Sequence, residues 1–324
     1  MKVSVVIPTY KRSELLLKCI IKLYEQSFNK EDYEIIIISD GADLETESLI
    51  NLIRQKFNNY NICYAALDVK KGPAAARNKG ALLAKGELIL FTDDDCLPHI
   101  EWIEKFWEAY ILNNETLIAF TGKTIVPHKP LPTDYEKNVS HLEDAEFVTA
   151  NCACTKKAFD LVKGFDEDFS IAWREDSEFQ FRLIDQKIPI LKIEEAIVEH
   201  PVRIAFWGVS IKEQKKSIFN ALLYKKHPEL YKEKISNKPV WNYYYMIIVF
   251  AVFIITIVTG NYTIALLSLM FWMMLVLMFT IKRLQGTSKK FSHIMEMFTT
   301  SIAIPFISIF WTLYGSIKFK TLLF

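Results

Sequence analysis

The sequence predicts an α/β fold, with a mostly parallel sheet carrying helices on both faces, followed by C-terminal transmembrane helices. Three observations predict it. Over residues 1 to about 125, apolar runs of strand length alternate with stretches of helical periodicity, and those runs are continuous rather than alternating. Strands of that kind belong to a parallel sheet covered on both sides. Polar residues gather where the strands end. Beyond Pro239 the chain becomes apolar over lengths that no surface helix needs.

The elements follow in order. "KVSVVIP" reads as a buried strand, and "SELLLKCIIKLYEQS" as a helix with Ser13 as its N-cap. "EIIIISDG" is a second strand, "LETESLINLIRQKF" a second helix and "NICYAAL" a third strand. In "GPAAARNKGALLAKG" Pro73 opens a third helix and Gly86 lies just past its end. "ELILFT" is the fourth strand. Ligands of such sheets bind at the carboxyl ends of the strands. Thr9, Tyr10 and Arg12 follow the first strand there, Asp40 and Gly41 the second, and Asp93, Asp94 and Asp95 the fourth. No G-x-G-x-x-G follows the first strand and no G-x-x-x-x-G-K-[ST] occurs, which argues against ordinary dinucleotide and P-loop sites.

Composition narrows the field. The chain has 324 residues, enough for one large catalytic domain plus extras, and its net charge of +1 gives no reason to expect nucleic acid as a partner. Its five cysteines are scattered; Cys152 and Cys154 form a C-x-C on one face of a strand, with no second pair at zinc-finger spacing. They read as reduced packing thiols. "MKVSVVIPTY" is too short an apolar run for a signal peptide, so the N-terminal part is expected to stay in the cytosol.

The triplet Asp93–Asp95 is the sharpest local question. Adjacent carboxylates repel, so the stretch is either a solvated acidic turn or the seat of a cation, which converts repulsion into coordination. The convergence of Asp40 and Arg77 on the same crevice favours the cation.

At this point the sequence resembles the family 2 glycosyltransferases over about residues 2–205. The resemblance rests on "VVIPTYKR", "IISDGA", "GPAAARNKGALLAKGELILFTDDDC", "GFDEDF" with "REDSEFQFRL", and "VEHPV", in that order. The turn "SDGAD" departs from the family's usual Asp-Asp-Gly-Ser. The resemblance implies a GT-A fold, a Rossmann-like and mostly parallel sheet, acting on a nucleoside-diphosphate sugar, a UDP-sugar foremost. Pro8, Thr9, Tyr10 and Arg12 would form the nucleotide-binding turn, Asp40 would face the base, and Asp93 the ribose. Asp95 would hold Mg²⁺ or Mn²⁺; His200, by itself as readily a packing residue, matches the family's late histidine and would be a third metal ligand or phosphate contact, and Asp94 is open to either task. Arg77 would steady the diphosphate or form a surface ion pair.

The same resemblance implies an inverting single displacement, with Asp176 as general base beside Glu175 and Trp173 on the acceptor side. A sugar hydroxyl needs such a base; a lipid phosphate, already ionised, does not. "REDSEF" therefore favours a hydroxyl on a lipid-linked or cell-surface glycan, as in cell-envelope polysaccharide synthesis. The alternatives are transfer to a polyprenyl phosphate and a non-catalytic membrane scaffold. The Q-x-x-R-W of processive synthases is missing, since "KEQKKSIF" lacks the Arg-Trp.

The expected domains are a catalytic one over 1–205, an amphipathic juxtamembrane helical segment over 206–238 and a membrane domain over 239–324. In the middle segment Ile211, Ile218, Leu222 and Leu223 lie beside a lysine-rich face, either at an anionic membrane surface or packed on the domain. Uncharged runs at about 243–259 and 262–281 each suffice to cross a hydrocarbon core of about 30 Å. A third at about 298–317 contains Pro305 and is open to spanning, kinking or re-entry. The basic loop "KRLQGTSKK" places itself and the catalytic domain on the cytoplasmic side of the cell membrane.

Overall fold

Residue-by-residue alternation along each predicted strand divides the side chains between two buried layers. Val5, Ile7, Ile35 and Ile37 enter one core, and Val6, Ile36 and Ile38 the other. The computed structural model describes residues 1–56 and 61–323. The chain forms two units: residues 1–127 with 140–202, and residues 128–139 with 203–324.

The first unit runs β1 (Val3–Thr9), α1 (Ser13–Tyr24), β2 (Tyr33–Ser39), α2 (Leu44–Lys56), β3 (Asn61–Ala66), α3 (Pro73–Leu83), β4 (Leu88–Phe91), β5 (Leu97–Pro98), α4 (Trp102–Asn113) and β6 (Ala119–Ile125). Helix α5 (Asp134–Ser140) belongs almost wholly to the second unit. The chain then returns through β7 (Cys152–Thr155), α6 (Lys156–Leu161), α7 (Glu175–Asp185) and β8 (Ile190–Glu199). The strands make one sheet in the order β3-β2-β1-β4-β7-β6-β8-β5. The first four pair in parallel, and β7 runs antiparallel to both β4 and β6. The mostly parallel α/β expectation holds.

Register brings the strand ends level. Thr9 lies beside Ser39, the Asp40 N–H donates to the Thr9 carbonyl at 2.8 Å, and the Thr92 N–H to Val6 at 3.3 Å. All five cysteines are free, and Cys152 and Cys154 are buried in one core layer.

Two local expectations are corrected, and a third falls in part outside the described residues. Ser13 is the first residue of α1, not its cap; Arg12 holds the cap position, and the Ser13 hydroxyl donates to Glu45 instead. Helix α3 ends at Leu83, Ala84 turning extended, while the Gly86 N–H is taken by Ser4 Oγ at 2.8 Å. The second helix is described to Lys56, so Phe57 lies outside the described residues.

The second unit continues through α8 (Val209–Glu213), a 3₁₀ turn, α9 (Ile218–Lys226), α10 (Pro228–Lys234), α11 (Trp241–Val258), α12 (Tyr262–Leu284) and α13 (Phe291–Phe319). The 206–238 segment is thus several short helices, interrupted before Pro228. Ile218, Leu222 and Leu223 are buried, with α9 packed on α13. Gly315 permits that approach, since a Cβ there would lie 2.6 Å from the Ile218 carbonyl oxygen.

Helices α11, α12 and α13 are long and apolar enough to cross a membrane, with mean hydropathies of 2.0, 2.5 and 1.5. Phe250 packs on Trp272 and Phe306 among them, at ring separations of 4.9 and 5.4 Å. The third is helical through Pro305.

Candidate active site

The turn after β4 divides its three carboxylates. Asp94 is buried and points back to the first strand's turn, accepting from Thr9 Oγ1 at 2.8 Å and Arg12 Nη1 at 3.1 Å. Burial, opposed by Arg12, still raises its carboxyl above the usual range. Asp94 ties the ends of β1 and β4 together. Asp93 and Asp95 instead join Cys96 and His200 in a group whose donor atoms all lie within 4.8 Å of one another. His200 follows β8, its N–H held by the Ile125 carbonyl at 2.8 Å, and its Nε2 lies 3.8 Å from Asp95 Oδ1. Burial and the neighbouring carboxylates push the Cys96 thiol up, so it stays protonated there. Two carboxylates and an imidazole are a donor set that fits Mg²⁺ or Mn²⁺.

Arg77 is the hinge between this group and α7. It is buried, one amino group 2.7 Å from Asp93 Oδ1 and the other 3.2 Å from Glu175 Oε1. It is therefore an interior ion-pair residue, not a surface one. Phe165 lies beneath its guanidinium at 5.6 Å and stacks on Phe179 of α7 at 4.4 Å. Burial and the charge of Asp176, opposed by Arg77, push Glu175 up to about 7. Asp176 is half-buried; its Oδ1 accepts the Ser177 N–H at 2.6 Å, and burial raises its carboxyl. Arg174, at φ +75°, precedes the pair and lies over the exposed ring of Trp173 at 4.8 Å.

The turn expected to take a nucleotide is less open than its motif suggests. Pro8 and Thr9 are buried in β1, while Tyr10 carries Lys70 over its ring at 4.0 Å. Asp40 accepts the backbone N–H groups of Lys71 and Gly72 at 2.7 and 2.9 Å, fixing the start of α3. Gly72 sits at φ +103°, and a Cβ there would lie 2.4 Å from the Ser170 carbonyl oxygen. Only glycine lets that backbone pass beneath the loop leading to Asp176.

Asp43 was missed by sequence reasoning. It accepts the Lys11 N–H at 2.7 Å and the Thr46 hydroxyl at 2.7 Å, bracing the first turn against α2. Burial would raise its carboxyl, yet these hydrogen bonds hold it below the usual range. An acidic residue directly before a helical stretch was the available signal.

Residues 4–148 match the sequence profile described as Glycosyl transferase family 2. Over that stretch the N-terminal unit is similar to the family 2 glycosyltransferases. Among curated relatives, the glycosyltransferase AglE of Haloferax volcanii is 32% identical over 103 residues, covering 32% of this chain and 33% of its own length. Chondroitin synthase of Escherichia coli is 25% identical over 280 residues, covering 71% of this chain and 39% of its own. The chain thus spans 33% and 39% of the lengths of these two relatives. Among solved structures, the mannosyltransferase PcManGT of Pyrobaculum calidifontis, in complex with GDP-Man and Mn²⁺, is 16% identical at a TM-score of 0.60. The likeness covers 97% of this chain and 87% of that one. The N-terminal unit has the GT-A-like fold expected of its sequence.

Proposed function

We propose that the protein is a membrane-anchored, inverting glycosyltransferase. It moves a sugar from a nucleoside-diphosphate sugar, a UDP-sugar foremost, to a hydroxyl of a lipid-linked or cell-surface glycan in cell-envelope polysaccharide synthesis. One observation carries the reading: Arg77 links the cation-capable group of Asp93, Asp95 and His200 to the Glu175–Asp176 pair.

The turn of Pro8, Thr9, Tyr10 and Arg12 receives the nucleotide, with Asp40 shaping the base side through the backbone it holds. Asp93 faces the ribose and shares the cation group with Asp95 and His200. Mg²⁺ or Mn²⁺ held by these residues would supply positive charge to offset that of a departing diphosphate. The PcManGT structure, which holds GDP-Man and Mn²⁺, supports that assignment. Asp176 accepts the proton of the attacking hydroxyl; its raised carboxyl is better matched to that task near neutral pH than an ordinary aspartate. Trp173 offers the acceptor an exposed ring, and Glu175 balances Arg77 behind it.

Helices α11 to α13 anchor the protein in the cell membrane, with the catalytic domain on the cytoplasmic side. The same helices favour a second reading, transfer to a polyprenyl phosphate, in which Asp176 would have no proton to take. A panel of nucleotide sugars incubated with the full-length protein, with and without EDTA, tests the function. Metal-dependent release of nucleoside diphosphate from one donor is expected. Binding and hydrolysis of none would overturn the reading.

A further inference from the structure

Within the second unit, a cavity of about 220 Å³ lies between the start of α5, the 205–210 segment and the first turns of α13. We propose that it is a binding site for a single sugar ring, the head group of a membrane-borne glycolipid. The ring site rests on the second unit's own geometry; only its occupant's role as acceptor rests on the proposed function.

His293 is the first reason. It lines the cavity, is only 6% exposed, and neither ring nitrogen has a hydrogen-bond partner among the described residues. Its Nδ1 merely faces Glu296 Oε2 at 3.6 Å. A neutral imidazole offers one donor and one acceptor, and a buried pair of this kind calls for a ligand that supplies both. Hydroxyl groups do so.

Charge is the second. Among the described residues, neither lysine nor arginine lines the cavity. The Asp134 carboxylate is taken by Arg283 at 2.7 Å, and Glu296 Oε1 accepts the Gly208 N–H at 2.7 Å. Glu296 Oε2 remains turned toward His293. A phosphate would meet this carboxylate with the neighbouring cations already engaged, Arg283 by Asp134 and the Ser210 hydroxyl and Lys212 over the Phe206 ring. A polyol hydroxyl would donate to it. Quaternary ammonium would suit the aromatic wall, but it offers His293 no hydrogen bond, and Lys212 already lies over the Phe206 ring at 4.2 Å.

Shape is the third. The cavity is smaller than the roughly 300–1,000 Å³ of drug-sized sites and suits one ring. Trp207, 55% exposed, gives an apolar face for the C–H side of a pyranose, while the Thr133 and Ser210 hydroxyls line the site for its edge. Its α13 wall, His293, Glu296 and Met297, belongs to the first turns of an apolar helix, along which a lipid tail would run.

The test uses full-length protein in polyoxyethylene detergent, which carries no sugar. Octyl glycosides of glucose, galactose, mannose and N-acetylglucosamine are titrated beside the free sugars, octyl phosphate and dodecylphosphocholine. Saturable binding of at least one octyl glycoside is expected, about tenfold or more tighter than the free sugar. It should weaken about tenfold or more in Trp207→Ala, an exposed position, and in Glu296→Gln and His293→Phe. Donor binding and donor hydrolysis should stay at wild-type level in all three. No glycoside binding, unchanged binding in Trp207→Ala and Glu296→Gln, or preference for octyl phosphate or the choline detergent would overturn the site. Free sugar binding as tightly as its octyl glycoside would overturn the lipid-borne occupant. Loss of donor hydrolysis in the wild type would count against the glycosyltransferase reading alone.

Discussion

Arg77 and Glu175 meet at 3.2 Å although 98 positions separate them, and the same guanidinium holds Asp93 at 2.7 Å. Because the arginine is interior, its loss leaves two carboxylates facing each other with no cation between. Arg77→Gln should destabilise the catalytic domain by about 3–5 kcal/mol at pH 8. Adding Glu175→Gln should recover part of the loss, because the two sites share one network. Thermal unfolding of both variants measures it; an undiminished Tm in Arg77→Gln would contradict the pairing.

Glu175 gives stability a pH dependence of known sign. Its folded carboxyl is raised from 4.5 to about 7, so the native state binds a proton the unfolded chain has already released. Its contribution is fully present below about 4.5 and is lost as pH rises through about 7. Glu175→Gln should flatten the wild-type fall in stability between pH 5 and 8. Parallel slopes for the two proteins in denaturant titrations across that range would rule the effect out.

Asp176→Asn keeps size and the Ser177 contact but cannot accept a proton. Turnover with a hydroxyl acceptor should drop by roughly 10²-fold or more, while donor affinity stays near normal. In the wild type, kcat/KM should decline toward acidic pH as the raised carboxyl becomes protonated. Near-normal turnover of the variant would promote the lipid-phosphate reading.

Asp95→Ala should remove both transfer and the Mg²⁺ or Mn²⁺ dependence of donor binding while leaving the far-UV circular dichroism spectrum unchanged. His200→Gln should weaken metal dependence less, since it removes one neutral ligand rather than a charge. Transfer by Asp95→Ala in EDTA at the wild-type rate would refute the cation assignment.

Topology is checked by labelling. Lys289, in the loop between α12 and α13, should react only when reagents reach the cytoplasm. Labelling of intact cells at that position would reverse the orientation.

What could be read from the chain depended on the distance of each residue's partner. Strands β1 to β4 were legible because their apolar runs need no knowledge of neighbours, and Pro73 marked α3 by itself. The "DDDC" and "RED" stretches were legible as motifs. The division of labour among the aspartates was not. Asp94 depends on Thr9, 85 positions away, and Asp40 on the Lys71 backbone, 31 positions away. Neither partner leaves a trace in local periodicity. Helix α9 was legible as amphipathic, but its burial against α13 was not, because Gly315 makes room for it nearly a hundred residues later.

Asp134 belongs to the second unit, its carboxylate 2.7 Å from Arg283, although it lies between β6 and β7 in the sequence. A soluble fragment made by cutting after Val202 would therefore keep residues 128–139 while discarding the arginine that pairs with Asp134. Such a fragment would display an orphaned segment that had evolved to be covered. Poor yield would then report on where the cut was made, not on whether the catalytic fold can stand alone. Replacing 128–139 with a short polar linker is the more faithful dissection, because it follows how the chain is partitioned in space rather than along its length.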